Sequence, residues 1–170
     1  MVNTFVIEWT GPYMDPMEVD LSGILYLITG NLPQGPRAEK IRYVGITSND
    51  PATRFDSNHP FYKLDEHGRK FWIGKIRNCS IQRYGDAEWL LVHYLCNYRK
   101  YNQNVDLFNV RKTTTPQNSI CIINRWYKVG CGEEYSYYVF PFSHIPDVLY
   151  WNSCKNTLLI SNRICIENEG

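Results

Sequence analysis

The feature that most constrains the fold is a series of short apolar segments separated by turn residues. The clearest is the uninterrupted apolar run at residues 23–29, which is bounded by glycines and asparagine and is typical of a buried strand. Strand-like segments also occur elsewhere in the chain, at residues 4–9, 41–47, 70–79, 119–127, 135–142, 145–151 and 157–166. Together they predict a protein rich in β-strands.

Two segments have helical signals instead. In residues 86–98 apolar side chains recur every three or four positions, as on the buried side of an amphipathic helix. A short helix is predicted at residues 51–55, because Asp50 occupies an N-cap position and Pro51 the first helical position. Strands and helices together predict an α+β fold class.

The sequence texture changes after Pro116, where short strand-like segments replace the mixed pattern. Residues 1–116 are therefore predicted to form a core with an N-terminal strand, and residues 117–170 a β-rich extension. The extension either packs on the core within one compact domain or forms a small subdomain, and the sequence leaves both open.

Charge is unevenly distributed, although the net charge of the 170 residues is only +1. Residues 1–35 carry a net charge of −4, residues 36–128 carry +8 and residues 129–170 carry −3. A cationic middle fits a surface that binds a polyanion, and it fits an uneven solvated surface equally well.

Two expected features of membrane or secreted proteins are missing from the sequence. No run approaches the roughly 18–20 apolar residues of a membrane span. The first residues lack the basic region of a secretory signal. We therefore expect a soluble, cytoplasmic protein with no membrane partner.

Four side chains are candidates for chemistry. Arg54 carries a permanent charge and a planar fork of donors that suits a phosphate. His59 could transfer a proton or make a local hydrogen bond. Glu88 lies at the border of the apolar stripe of the longer helix, where a carboxylate suits a metal ligand, a salt bridge or the helix dipole. Tyr43 is either a site residue or a β-favouring aromatic.

Taken in order along the chain, these residues resemble the motifs of the GIY-YIG nuclease family. The matching elements, over roughly residues 22–110, are residues 23–25, residues 43–45, Arg54, His59, Glu88 and Asn109. The resemblance implies a three-stranded antiparallel sheet flanked by helices, here followed by the C-terminal β-rich extension. It also implies metal-dependent hydrolysis of phosphodiester bonds in double-stranded DNA, as in endonucleases of restriction, mobile-element or phage type.

The resemblance assigns catalytic roles to four residues. Glu88 would bind one Mg²⁺ or Mn²⁺ ion, and a single carboxylate can suffice because Mg²⁺ usually keeps several waters. Arg54 would hold the scissile phosphate and offset the charge that grows on it. Tyr43 and His59 would contact the phosphate or a water near it and share in proton transfer.

Three residues would have structural roles at the same site. Gly23 belongs to the first motif, and Gly45 would allow close approach to the site. Asn109 would hold the site together by hydrogen bonds, with Asn104 as its substitute.

One position departs from the family pattern. The first motif normally ends in tyrosine, where this chain has Leu25. Strand alternation points the next residue, Tyr26, to the opposite face unless a bulge intervenes. Proton abstraction then falls to Tyr43 or His59, or Tyr26 is re-aimed, or activity is lost. The alternative functions are a non-catalytic nucleic-acid-binding or interaction module on the same fold, and a structural or protein-binding domain.

Two further cations, Arg125 and Lys128, flank Trp126. Interleaved basic and aromatic residues can bind DNA through phosphate contacts and stacking. The more common arrangement is a strand with a buried tryptophan and solvent-facing cations. The extension is predicted to supply DNA specificity or the interface of a homodimer.

Overall fold

The computed structural model describes residues 1–35, 37–77, 79–98, 102–109, 115–135 and 141–161. The strands of this part are β1 (Val2–Tyr13), β2 (Ile24–Gly30), β3 (Lys40–Thr47), β4 (Lys70–Ile76), β5 (Ser119–Lys128), β6 (Val148–Asn152) and β7 (Thr157–Ser161). They form one sheet in the order β3-β2-β4-β1-β5-β6-β7. The α-helices of this part are α1 (Pro51–Arg54) and α2 (Tyr84–Tyr98).

The predicted α+β architecture, a three-stranded antiparallel sheet flanked by helices as in GIY-YIG nucleases, is wrong. The sheet has seven strands, contains both parallel and antiparallel pairs, and curls into a half-barrel. Among the described residues only α2 is a helix longer than about one turn. The strands β2, β3 and β4 are neighbours within this larger sheet rather than a sheet of their own.

The long strand β1 is the reason for the difference. It pairs antiparallel with β4 and parallel with β5, the latter from Val2 opposite Ser119 to Gly11 opposite Lys128. The strand that precedes the predicted core therefore joins the C-terminal strands to it. Strands from both sides of Pro116 belong to one continuous sheet.

Most predicted elements are present at the predicted places. The helix predicted at residues 86–98 is confirmed and spans Tyr84–Tyr98, and strands at seven of the eight predicted segments are confirmed. The exception is the segment at residues 135–142: residues 136–140 lie outside the described part, and Phe142–His144 form a 3-10 helix. The end of the last predicted strand, from residue 162, also lies outside it.

Both faces of β2 are covered, and this explains its uninterrupted apolar sequence. Leu25 and Leu27 belong to the larger core cluster, together with the buried side of α2. Tyr26 and Ile28 belong to a second cluster on the other face, with Phe55 from the segment after α1. The side chain of Tyr26 is therefore separated from α2 by the sheet itself.

The larger cluster is anchored by a pair of tryptophans on β1 and β5. The rings of Trp9 and Trp126 stack with centroids 5.2 Å apart. The fully buried Asn124 accepts a hydrogen bond from Trp9 Nε1 at 2.9 Å and donates one to the Pro146 carbonyl at 2.8 Å. Within the described residues, no helix has the length and apolar character needed to cross a membrane.

Candidate active site

The turn after β3 places Arg54 beside the second core cluster. The carboxylate of Asp50 accepts hydrogen bonds from the Thr53 amide at 2.8 Å and the Thr53 hydroxyl at 2.9 Å. These bonds confirm the predicted N-cap, and they lower the pKa of Asp50. Arg54 lies in the last turn of α1 and is half-exposed. In the described part of the chain its side chain makes no ion pair or hydrogen bond.

A hydrogen bond joins the buried side chains of Tyr26 and His59. The Tyr26 hydroxyl lies 3.1 Å from His59 Nε2, and His59 Nδ1 accepts a hydrogen bond from the Phe61 amide at 3.3 Å. Since Nδ1 is an acceptor, the proton of the neutral imidazole is on Nε2. His59 therefore donates to Tyr26, and the hydroxyl proton of Tyr26 is directed away from His59.

Burial and nearby charges keep both side chains uncharged at neutral pH. Burial lowers the pKa of His59 to about 4, and the nearby Arg54 charge acts in the same direction. Burial also raises the pKa of Tyr26 above its usual value, with Tyr43 as the next contributor. The Arg54 charge opposes this rise in the Tyr26 pKa, and the Glu88 charge adds to it. Of the predicted catalytic residues, His59 is hydrogen-bonded to the Tyr26 hydroxyl and Tyr43 stacks on its ring. Arg54 and Glu88 act on the pKa of Tyr26 through their charge.

Aromatic packing fixes the geometry around this hydroxyl. The rings of Tyr26 and Tyr43 stack with centroids 5.9 Å apart, and the ring of Phe55 stacks on His59 at 4.2 Å. Gly45 lies directly opposite Tyr26 on β3. A Cβ atom at this glycine would lie only 2.5 Å from the Tyr26 hydroxyl oxygen. Glycine is required here because the Tyr26 ring lies across the backbone of β3.

Glu88 lies on α2, which packs on the face of the sheet opposite the Tyr26 cluster, and its charge contributes to the raised pKa of Tyr26. It is the fifth residue of that helix and is 7% exposed. In the described part of the chain, no group of three or more histidine, cysteine, aspartate or glutamate side chains could hold a metal ion. A single buried carboxylate nevertheless fits a Mg²⁺ ion, which usually binds one or two carboxylates and keeps several waters.

The segment 104–109 covers the outer edge of β3. The side chain of Asn109 makes two hydrogen bonds of 2.8 Å to the backbone of Val44, one from the Val44 amide and one to its carbonyl. Asn104 contacts β3 through its backbone carbonyl, which accepts from the Ile41 amide at 2.9 Å. Asn109 and Asn104 thus bind different residues of β3, and the residue that Asn109 binds is the one that follows Tyr43. Gly23, with φ +67°, precedes β2.

Tyr26, rather than Leu25, lies on the face of the sheet that carries Tyr43 and His59. The family pattern has a tyrosine at the position of Leu25, but Leu25 packs in the cluster under α2. No bulge re-aims Tyr26, since the irregularity in the β2–β3 pairing lies beyond Ile28. The available signal is the glycine opposite: a tyrosine ring can lie across a strand where its partner residue has no side chain.

Arg125 and Lys128 lie outside this cluster. Arg125 is exposed on β5, directly opposite Glu8 of β1. Lys128 forms an ion pair with Glu133 at 3.0 Å. Trp126, between them in sequence, is buried, as in a strand with a buried tryptophan and solvent-facing cations.

The cluster has the chemistry of an anion-binding site. Arg54 offers a guanidinium with no counter-ion in the described residues, and the half-exposed Tyr43 offers a hydroxyl group in the same cluster, whereas the Tyr26 hydroxyl is buried. A phosphate group matches these donors in charge and hydrogen bonding. Comparisons of this chain with protein-family models, curated proteins and solved structures find no match.

Proposed function

We propose that this chain is a metal-dependent endonuclease that hydrolyses phosphodiester bonds in double-stranded DNA. The observation that carries the proposal is the arrangement around the Tyr26 hydroxyl, which accepts a hydrogen bond from neutral His59 and interacts with Arg54 and Glu88. The order of the candidate residues along the chain, similar to that of the GIY-YIG nucleases, supports the same function. Restriction, mobile-element and phage roles all fit it.

Each residue has a physical role in the proposed reaction. Arg54 binds the scissile phosphate and offsets the negative charge that develops on its oxygens. His59 holds the Tyr26 ring and stabilises negative charge on its oxygen through the Nε2 hydrogen bond. The half-exposed Tyr43 orients the attacking water, and the buried Tyr26 holds the Tyr43 side chain in place. A Mg²⁺ ion bound by Glu88 would polarise the phosphate and stabilise the departing oxygen.

The proposal is tested by incubating supercoiled plasmid with the protein and Mg²⁺, with EDTA as a control. We expect nicking that EDTA abolishes and that falls by about 100-fold or more in Glu88→Ala and Arg54→Ala. The matched controls are Glu66→Ala and Arg37→Ala, which change exposed side chains of the same types. Metal-dependent nicking that survives in the Glu88 variant would contradict the site.

A non-catalytic DNA-binding module is the second candidate. The observation that favours it is that Leu25 stands where the family pattern has a tyrosine and packs in the cluster under α2. Salt-sensitive binding of duplex DNA without nicking would support this function. Absence of both binding and nicking would contradict both candidates. The homodimer interface proposed for the C-terminal strands is tested separately by sedimentation.

A further inference from the structure

We infer that the sheet face carrying Tyr26 continues into a DNA-binding surface formed by Lys75, Arg77 and Arg125, the cationic patch, which positions the duplex for cleavage. The inference rests on the proposed function, because it assigns the surface to the same substrate. It extends the proposed contact with DNA from the residues around one phosphate to a surface that crosses several strands of the sheet.

Strand register places Tyr26 and the C-terminal strands on one face. Tyr26 lies opposite Ile73 of β4, Ile73 opposite Thr10 of β1, and Thr10 opposite Tyr127 of β5. Directly opposed residues in a sheet share a face. Three strand spacings of roughly 4.8 Å each place Tyr127 about 14 Å from Tyr26.

The neighbouring row on this face contains the charges. Glu8 of β1 lies opposite both Lys75 of β4 and Arg125 of β5. Arg77, just beyond β4, forms an ion pair with Glu8 at 2.7 Å and keeps most of its side chain exposed. Three cations therefore surround one carboxylate, which leaves the patch with a net charge of +2.

Two of these cations are available to a ligand. Lys75 and Arg125 are exposed, and in the described residues neither makes an ion pair or a hydrogen bond. Lys128 is close to Arg125 in sequence but differs from it in the face of the sheet on which it lies and in having an ion-pair partner. It is on the opposite side of β5 by alternation, and Glu133 already neutralises its charge.

A DNA duplex is the partner that fits this charge arrangement. Phosphates of one strand are spaced roughly 3.4 Å apart along the helix axis. The path of about 14 Å from Tyr26 to Tyr127, which is next to Arg125 on the same face of β5, therefore passes about four phosphates of a strand. The patch carries positive charge at the far end of this path and Arg54 carries it at the near end.

The test measures binding of a fluorescein-labelled duplex of about two helical turns by fluorescence anisotropy, in EDTA, between about 50 and 200 mM salt. The double variant Lys75→Gln/Arg125→Gln is compared with Lys128→Gln/Lys155→Gln, which removes the same charge from exposed or already paired positions. We expect the first to weaken binding about tenfold and to flatten the salt slope by about two. The control should change affinity less than about twofold.

A third variant gives an effect of opposite sign. Glu8→Gln removes the carboxylate within the patch and releases Arg77, so we expect tighter binding of the same duplex, by about two- to fivefold. Damage to the fold would not produce tighter binding.

The outcomes separate the patch from the proposed function. If the wild type binds and nicks DNA but the Lys75/Arg125 variant keeps its affinity and salt slope, the patch is refuted and the nuclease stands. If the wild type neither binds nor nicks DNA, the proposed function fails and the patch with it. Weaker binding in that variant, with nicking restored at saturating protein, supports the patch.

Discussion

At the scale of single residues, His59 is the side chain whose state is best defined by its surroundings. It is 3% exposed, accepts a hydrogen bond at Nδ1 and donates one at Nε2. A second proton on Nδ1 would displace the Phe61 amide and bring a charge into the aromatic cluster. The neutral form is therefore part of the folded structure.

The fold should lose stability in acid because of His59. Its pKa in the folded state is about 4, below the ordinary value of about 6.5, so the unfolded chain binds the proton first. The stabilisation is complete above about pH 6.5 and is lost as pH falls toward 4, by about 3 kcal/mol. The loss is measured as the difference in the free energy of unfolding by urea between pH 7 and pH 4.5, for the wild type and for His59→Gln.

The difference between the two proteins isolates His59. Burial also lowers the pKa of His144, but that residue is unchanged in both. An identical pH dependence of the unfolding free energy in wild type and variant would contradict the assigned state of His59.

A methyl group at Gly45 should disturb the site directly. In Gly45→Ala the new atom meets the Tyr26 hydroxyl and ring, so we expect the Tyr26–His59 hydrogen bond to break and stability to fall by about 1–3 kcal/mol. Gly85→Ala, where nothing lies within 4 Å of the added atom, is the control and should stabilise α2 by about 0.5–1 kcal/mol. Equal effects of the two substitutions on thermal unfolding would contradict the packing described.

At the scale of secondary structure, local signals in the sequence identify the elements but not the direction in which their side chains point. The Asp50–Pro51 pair and the spacing of apolar residues in 86–98 suffice to predict α1 and α2, because caps and periodicity act within one or two turns. The face on which Tyr26 lies depends on its register with β3, and that register involves residues outside the motif.

The segment 104–109, which covers the edge of β3, should depend on the side chain of Asn109 for its attachment to that strand. In Asn109→Ala both hydrogen bonds to Val44 are lost, and we expect a loss of about 1–3 kcal/mol with faster amide exchange at Val44. The Ile41 amide bonds to a backbone carbonyl of Asn104 and should keep its protection, which makes it an internal control. Unchanged exchange at Val44 would show that Asn109 does not hold this strand.

At the scale of the whole molecule, the pairing of β1 with β5 determines the architecture. It joins residues more than 100 positions apart, and no local pattern encodes such a partnership. For this reason the sequence predicts the strands and fails to predict the size of the sheet. The change in sequence texture after Pro116 leaves open whether residues 117–170 pack on residues 1–116 or form a subdomain, and β1 and β5 are neighbours along their length.

The isolated segment 1–116 should therefore not fold by itself. Without β5 the long strand β1 has an unpaired edge, and Trp9 Nε1 loses its bond to Asn124. We expect no cooperative urea transition and no near-ultraviolet circular dichroism signal from this fragment, in contrast to the full chain. A cooperative transition like that of residues 1–170 would contradict the role given to β1–β5.

In the proposed nuclease the buried Tyr26 hydroxyl organises the residues that cleave the phosphodiester, and Tyr26→Phe removes that hydroxyl alone. The substitution keeps the ring packing and removes one oxygen, and Tyr62→Phe, an exposed tyrosine, is its control. The measurement is the rate of Mg²⁺-dependent plasmid nicking. We expect this rate to fall by about 100-fold or more in Tyr26→Phe and to stay unchanged in the control. Nicking at the wild-type rate by Tyr26→Phe would show that the hydroxyl has no part in cleavage.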